Sequence, residues 1–372
     1  MNQLTPLRVF DSSLNLITEV ANYESAYFQR SWHEVGKFQV SINYSIGQEF
    51  QVGRIVLFGN DLKKSGIILE VSDKLNSNGQ VKRLVTGVEL KYILSRRIVV
   101  PPAGQVRYTA STNFENAVKT LVSTQAIAAT DSNRNISNLV NATNSNLGPT
   151  VLISARYNNL LDVLKGVSKA AGAGFWVELN LTTKKYTFAI GIGLNRTAGQ
   201  SVNGRAIFST DYSNLESADL VKSMIKYKNF AYVGGQGEGT ARTIQTVPSS
   251  SIPTGLNRIE SFVDARDLAT GGELTQRGTE YLSANGTQDF LSGQALPSSN
   301  LVLGVDYDLG DIVTLKALGT SVDARVTAYT ENWSGGKYDL KLEFGQQYPT
   351  SASVAKENQA ETEQIFSATE IA

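Results

Sequence analysis

Any chemistry in this chain must come from carboxylates, one histidine and a glycine-rich stretch. His33 is the single histidine, and there is no cysteine. A two-histidine metal site, a thiolate site and any mechanism needing separate histidine acid and base are therefore excluded. His33 stands between Trp32 and Glu34 and reads as a partly exposed strand residue. Gly234-Gly235-Gln236-Gly237-Glu238-Gly239 is outwardly like a phosphate-binding loop. No Lys-Ser or Lys-Thr follows, Gly239 leads into a strand-like run where a helix N-terminus is required, and Glu238 would repel phosphate. A tight or flexible connection is the expected reading.

Asp264, Asp267, Asp306, Asp308 and Asp311 raise paired-carboxylate hydrolysis or metal binding. The run Asp306 to Asp311 lacks the Gly and Glu positions of a calcium loop, so these aspartates are expected to cap turn backbone. Asp264-Ala265-Arg266-Asp267 predicts a structural ion pair or an intersubunit contact. No Gly-x-Ser-x-Gly or His-Glu-x-x-His pattern occurs. The residues thus assign no catalytic, cofactor-binding or metal site.

The elements that would carry these residues are mostly strands. Short alternating runs at Leu7 to Phe10, Ala26 to Trp32, Gly36 to Ile42, Arg54 to Phe58, Gly66 to Val71 and Val81 to Glu89 predict antiparallel strands, with a hairpin at Asn78-Gly79. Pro101-Pro102 marks a boundary. Beyond it, helical spacing over Asn113 to Ser123 and Asn158 to Ala171 predicts two short amphipathic helices, the first capped by Thr112 or Asn113 and the second stopped by Gly172 and Gly174. Asp131 to Asn146 reads as a loop, and Phe175 to Leu181 with Lys185 to Ile190 as a hairpin. Further strands are expected over Asp219 to Lys228, Thr240 to Val247 and Arg258 to Val263, and a helix over Gly272 to Asn285 with Leu274, Tyr281 and Leu282 inward.

Lysine plus arginine equals aspartate plus glutamate at 34 each, which leaves no field to attract nucleic acid or an anionic membrane. Met1 to Phe10 has no signal-peptide pattern and no stretch has the length of a membrane span, so a soluble protein made in the cytoplasm is expected.

The last strand block repeats an earlier one. Val52-Gly53-Arg54-Ile55-Val56-Leu57 is similar to Leu309-Gly310-Asp311-Ile312-Val313-Thr314, and one interval separates both Gly53 from Gly79 and Gly310 from Gly336. Val81 to Gly87 then parallels Tyr338 to Gly345. Two copies of one antiparallel unit are expected.

Phrases in order along the chain resemble the hub proteins of siphophage tail tips, the family that includes the N-terminal part of tail-associated lysins. They are Arg8-Val9-Phe10-Asp11, Trp32 to Ile42, Val52 to Val56, Tyr227-Lys228-Asn229 with Tyr232 to Gly235, Arg258-Ile259-Glu260 with Val263 to Asp267, and Asp306 to Val313. The resemblance implies a mainly β fold with an inserted α/β module and two related barrel-like domains, similar to contractile-tail and type VI secretion hubs. It implies a homotrimer whose six domains form a pseudo-six-fold ring, adapting the six-fold tail to a three-fold tip around a channel for the genome. The implied partners are distal tail, tape-measure and tip or receptor-binding proteins, with no cofactor and a location in the virion tail tip.

The expected organisation is a first unit over residues 1–104, completed by about 205–235, a module over 105–204, a second unit over 236–346 and a polar tail over 347–372. Longer relatives carry a catalytic or receptor-binding extension, and none is expected in that tail. Two other readings compete with the non-enzymatic hub: a tail-associated cell-wall hydrolase built on the aspartates, and a carbohydrate-binding receptor module using exposed Trp and Tyr.

Overall fold

The computed structural model describes residues 5–75, 77–269, 271–295 and 300–345. The polar tail lies outside them. The fold is mainly β, and its backbone is one long hydrogen-bonded path of strands.

The path begins with β1 (Leu7–Phe10), β2 (Leu16–Val20), β3 (Ser25–Ser31), β4 (Lys37–Asn43), β5 (Ile55–Phe58), β6 (Ser65–Leu75) and β7 (Val81–Glu89). All their pairings are antiparallel, in the order β3-β4-β7-β6-β5-β1-β2. Gly79, at φ 76°, makes the turn that joins β6 to β7. The β5 segment Ile-Val-Leu-Phe is apolar without alternation because both of its faces are covered. Val56 and Phe58 join a core with Phe28, Phe38 and Trp333, while Ile55 and Leu57 join another with the following module.

That module contains β8 (Tyr108–Asn113), α1 (Phe114–Val122), β9 (Leu139–Asn141), β10 (Thr150–Ala155), α2 (Leu160–Ala171), β11 (Gly174–Asn180) and β12 (Lys185–Gly191). Asn113 caps α1 by accepting from the Asn116 amide at 2.9 Å, and Asn159 caps α2 by accepting from Leu161 at 3.0 Å. Gly172, at φ 62°, ends α2 in the left-handed conformation. Phe114, Ala117, Val118, Leu121 and Val122 are all buried. Each large member removes from water a side chain whose burial stabilises by about 1.5–3 kcal/mol. The expected loop over Asp131 to Asn146 does contain irregular chain, but β9 lies inside it, paired parallel to β12.

The C-terminal part holds β13 (Ile207–Ser209), β14 (Leu215–Ser223), β15 (Phe230–Gly234), β16 (Ile244–Pro248), β17 (Glu260–Asp264), α3 (Gly271–Ala284), β18 (Gln288–Ala295), β19 (Ile312–Ala317), β20 (Thr320–Ser334) and β21 (Lys337–Gly345). The strand expected over Asp219 to Lys228 starts earlier and ends at Ser223, where the chain turns. β13 pairs with β19 and β14 with β18, so both strands lie alongside C-terminal ones. β15, β16 and β17 form a separate three-stranded sheet against which α3 packs through Leu274 and Leu282, with Tyr281 half-buried. That small sheet is distinct from the main path.

The same five-strand order occurs twice, as β3-β4-β7-β6-β5 along the main path and as β14-β18-β21-β20 on that path with β19 branching from β20. The agreement extends to details. Gly53 and Gly310 have φ of 87° and 95°, and their amides donate to Ile68 O at 2.9 Å and Val326 O at 2.8 Å. The return bonds run from Ile68 N to Arg54 O and from Val326 N to Asp311 O. A bulge follows at once in both, between Ile68 and Glu70 and between Val326 and Ala328.

Candidate functional site

The two units meet where β3 lies antiparallel to β20, from Ser25 opposite Ser334 to Ser31 opposite Ala328. The ladder is extended by the Trp32 amide, which donates to the bulged Thr327 O at 2.8 Å. Each unit then contributes a tryptophan to the other. Trp32 belongs to the second unit's core with Phe208, Tyr307 and Phe344, and Trp333 belongs to the first unit's core, stacked 5.9 Å from Phe58. Trp32 needs a bed without side chains. A Cβ on Gly310 or Gly174 would stand 2.4 Å or 2.3 Å from its ring.

Beneath this joint sits a buried ionic cluster. Glu89 accepts from the Gly36 amide at 2.7 Å and the Ser31 amide at 3.3 Å, with Lys91 Nζ 3.4 Å and Arg30 Nε 3.6 Å away. Lys91 also donates to Ser31 O and Phe175 O, so one ammonium ties the first unit to the module. Burial pulls the Lys91 ammonium below its usual range while the Glu89 charge opposes that pull. Outward from the cluster opens a cleft of about 300 Å³, lined by Arg30, Trp32, Lys63, Trp176, Tyr307 and Asp308 among others.

His33 is not in a strand; it lies in the bend after β3, half-buried against α2. Its Nδ1 is 3.0 Å from Ser168 Oγ, and that hydroxyl donates to Ala173 O. Because the only hydroxyl proton goes to the carbonyl, Nδ1 carries the imidazole proton. Burial, with the nearby charges of Lys169, Lys91 and Arg325, pushes His33 down to about 3, so it is neutral in ordinary buffers.

The aspartates occupy two separate places. Asp311 is buried and accepts from the Leu194 amide at 2.7 Å, Arg196 Nε at 2.6 Å and the Asp308 amide at 3.0 Å. It fastens the exit of the module to the turn before β19. Asp306 accepts from Val302 and Asp308 from Leu309, the backbone-capping roles expected of turn aspartates. Asp264 is held by Arg242 at 2.5 Å and Arg266 at 3.0 Å, and Asp267 by Arg277 at 3.3 Å. Burial alone would raise the Asp264 carboxyl, but hydrogen bonds and charge from Arg266 and Arg242 bring it below the usual range. Among the described residues, no group of three acids or histidines is placed to hold a metal.

Gly234 to Gly239 links β15 to β16. Gly235 and Gln236 give their amides to Thr243 O and Leu268 O, while Arg242 caps the carbonyls of Gly234 and Gly235. Gly239 opens a single 3-10 turn, and the strand expected from Thr240 begins only at Ile244. Sequence reading missed the Arg30, Glu89 and Lys91 cluster. Its signal was present in Val88-Glu89-Leu90-Lys91-Tyr92-Ile93-Leu94, where two charges interrupt an otherwise apolar run.

The family model described as Siphovirus ReqiPepy6 Gp37-like protein matches residues 6–346. The chain belongs to that family. This Gp37-like chain is therefore a siphovirus protein and a component of the virion, in agreement with the siphophage tail family that its sequence phrases resemble. No curated protein matches it. Its fold is similar to three solved structures at low identity. The 43 kDa tail protein of prophage MuSo2 from Shewanella oneidensis has TM-score 0.60 at 10% identity, covering 91% of this chain and 98% of that one. A tail protein from Neisseria meningitidis MC58 has TM-score 0.57 at 13%, covering 92% and 97%. Prophage tail protein gp18 from Listeria monocytogenes EGD-e has TM-score 0.56 at 11%, covering 95% and 99%. No helix among the described residues is long and apolar enough to cross a membrane.

Proposed function

We propose that this Gp37-like chain is a structural, non-enzymatic hub subunit of a siphophage tail tip. It works as a trimer in which each subunit supplies two five-strand units to a pseudo-six-fold ring. The observation that best supports this reading is the repeat of strand order, glycine turn and bulge in β3 to β7 and in β14 with β18 to β21. A chain with two like units converts three-fold symmetry into six-fold spacing without a second gene product. The family match and the tail proteins of similar fold support the location, and the engagement of every candidate aspartate by backbone or arginine supports a non-enzymatic role.

On this reading the first unit is β3 to β7, preceded by the β1–β2 edge. The module over β8 to β12 is inserted before the second unit, and the β15–β16–β17 sheet with α3 is inserted within it. The ring adapts the six-fold tail above to a three-fold tip below and lines the genome's path. Its partners are distal tail, tape-measure and tip or receptor-binding proteins. Light scattering on the chromatographed protein, with negative-stain imaging after co-expression with the neighbouring tail proteins, tests the reading. A ring of three 40.3 kDa chains is the expected result. A monomer that stays out of tails even when those proteins are present would refute it.

A further inference from the structure

The joint between the two units uses one edge of each and leaves the equivalent edges open. Inside the chain, β3 of the first unit lies along β20 of the second. In the repeat, β14 is the counterpart of β3 and β6 is the counterpart of β20. Among the described residues, β14 pairs only with β18, and beyond Ile68 β6 pairs only with β7. The chain therefore carries one used joint and the two separated halves of an identical unused one.

We infer that the β14 edge of one copy of this chain adds antiparallel to the β6 edge of a second copy, repeating between subunits the β3–β20 joint found within each. This rests on the trimeric ring proposed above and specifies how its subunits join. The register follows from the ladders. Tracing pairings through β4 and β7, and through β18 and β21, Gln29 corresponds to Val221, Trp32 to Met224, Thr330 to Ser72 and Gly310 to Gly53. Gln29 is opposite Thr330 within the chain, so Val221 stands opposite Ser72 of the neighbour.

The surface fits this placement. Trp32 fills the space over Gly310, whereas nothing lies within 4 Å of a Cβ built on Gly53. Met224, the counterpart of Trp32, is 59% exposed, and Ile225 beside it is 55% exposed. On the receiving edge Val52 and Leu75 are 65% and 71% exposed. Long strand edges with apolar flanks are pairing surfaces unless something blunts them, and a second copy is the occupant that the internal joint prescribes. In that register the exposed Lys222 lies diagonal to Asp73, within reach of an opposite charge.

The chain has no cysteine, so an introduced pair is the only source of a disulfide. Ser72→Cys with Val221→Cys, mildly oxidised, is expected to give a covalent trimer on a non-reducing gel. Each single variant, and the out-of-register pair Val71→Cys with Val221→Cys, should not, because a one-residue slip turns the thiols to opposite faces. Met224→Asp is expected to weaken trimer assembly at least tenfold while leaving the thermal melt of the free subunit unchanged. A protein that is trimeric by light scattering yet shows no Ser72–Val221 crosslink overturns this joint and leaves the hub reading standing. A protein that is monomeric with tail proteins present overturns both.

Discussion

Alanine at Gly53 and at Gly310 separates backbone strain from packing at equivalent points of the two units. Both glycines sit at positive φ, 87° and 95°, where an L-residue costs about 1–2 kcal/mol. At Gly53 in the free subunit the new methyl meets nothing within 4 Å, so strain is the whole cost. At Gly310 the methyl would stand 2.4 Å from the Trp32 ring, and that ring is backed by Gly174 and Gly191 and cannot retreat. Overpacking of this kind adds about 1–3 kcal/mol. Urea unfolding of the unassembled subunit, followed by tryptophan fluorescence and far-ultraviolet dichroism, should therefore show Gly53→Ala losing about 1–2 kcal/mol and Gly310→Ala about 2–5 kcal/mol. In a Trp32→Ala background the excess at Gly310 should disappear. Equal costs at the two glycines, or an excess that survives removal of Trp32, would refute the packing argument.

Glu89→Gln leaves Lys91 and Arg30 buried without their carboxylate and is expected to lose about 3–5 kcal/mol, against about 0–1 kcal/mol for Glu19→Gln at the exposed Arg8 pair. Urea midpoints compare the two, and similar losses would show that the cluster is not a stabilising contact. His33 has a folded pKa depressed to about 3 from 6.5, so the unfolded chain binds its proton first. That stability is complete above pH 6.5 and is lost as pH falls toward 3, with a slope of up to about 1.4 kcal/mol per pH unit. Urea titrations at several pH values should show His33→Gln with a shallower acid limb than wild type; identical limbs would contradict the burial argument. Zymograms on cell walls should show no clearing by the wild-type chain. Clearing abolished by Asp264→Ala or Asp308→Ala would reinstate the hydrolase reading.

Local signals in the sequence are legible wherever short-range physics decides the structure. Strand β7 runs from Val81 to Glu89 as its alternation requires, and Asn113 caps α1 as its position before an amphipathic run requires. Strand β8, Tyr-Thr-Ala-Ser-Thr-Asn, shows little periodic contrast, because Tyr108 is its only large inward residue and the rest are small or polar. The repeat was visible as spacing between glycines. The exchange of Trp32 and Trp333 between cores was not, since it depends on β3 meeting a strand some three hundred residues further on. The aspartates show the same division. Asp306 and Asp308 act on neighbouring backbone and were legible as turn residues, whereas the hold of Asp311 on Leu194 and Arg196 is a long-range contact.

The seven-residue ladder between β3 and β20 has a mechanical meaning. Strands laid side by side and pulled along their length resist in shear, with all the hydrogen bonds loaded together, whereas strands peeled from one end open a bond at a time. The exchanged tryptophans pin the two ends of this ladder, Trp32 beyond Ser31 and Trp333 near Ser334, each lodged in the opposite unit. Traction along the strands therefore cannot start a tear at either end without first extracting an indole from a closed core. The subunit should yield at its inserted sheets and loops well before its two units part.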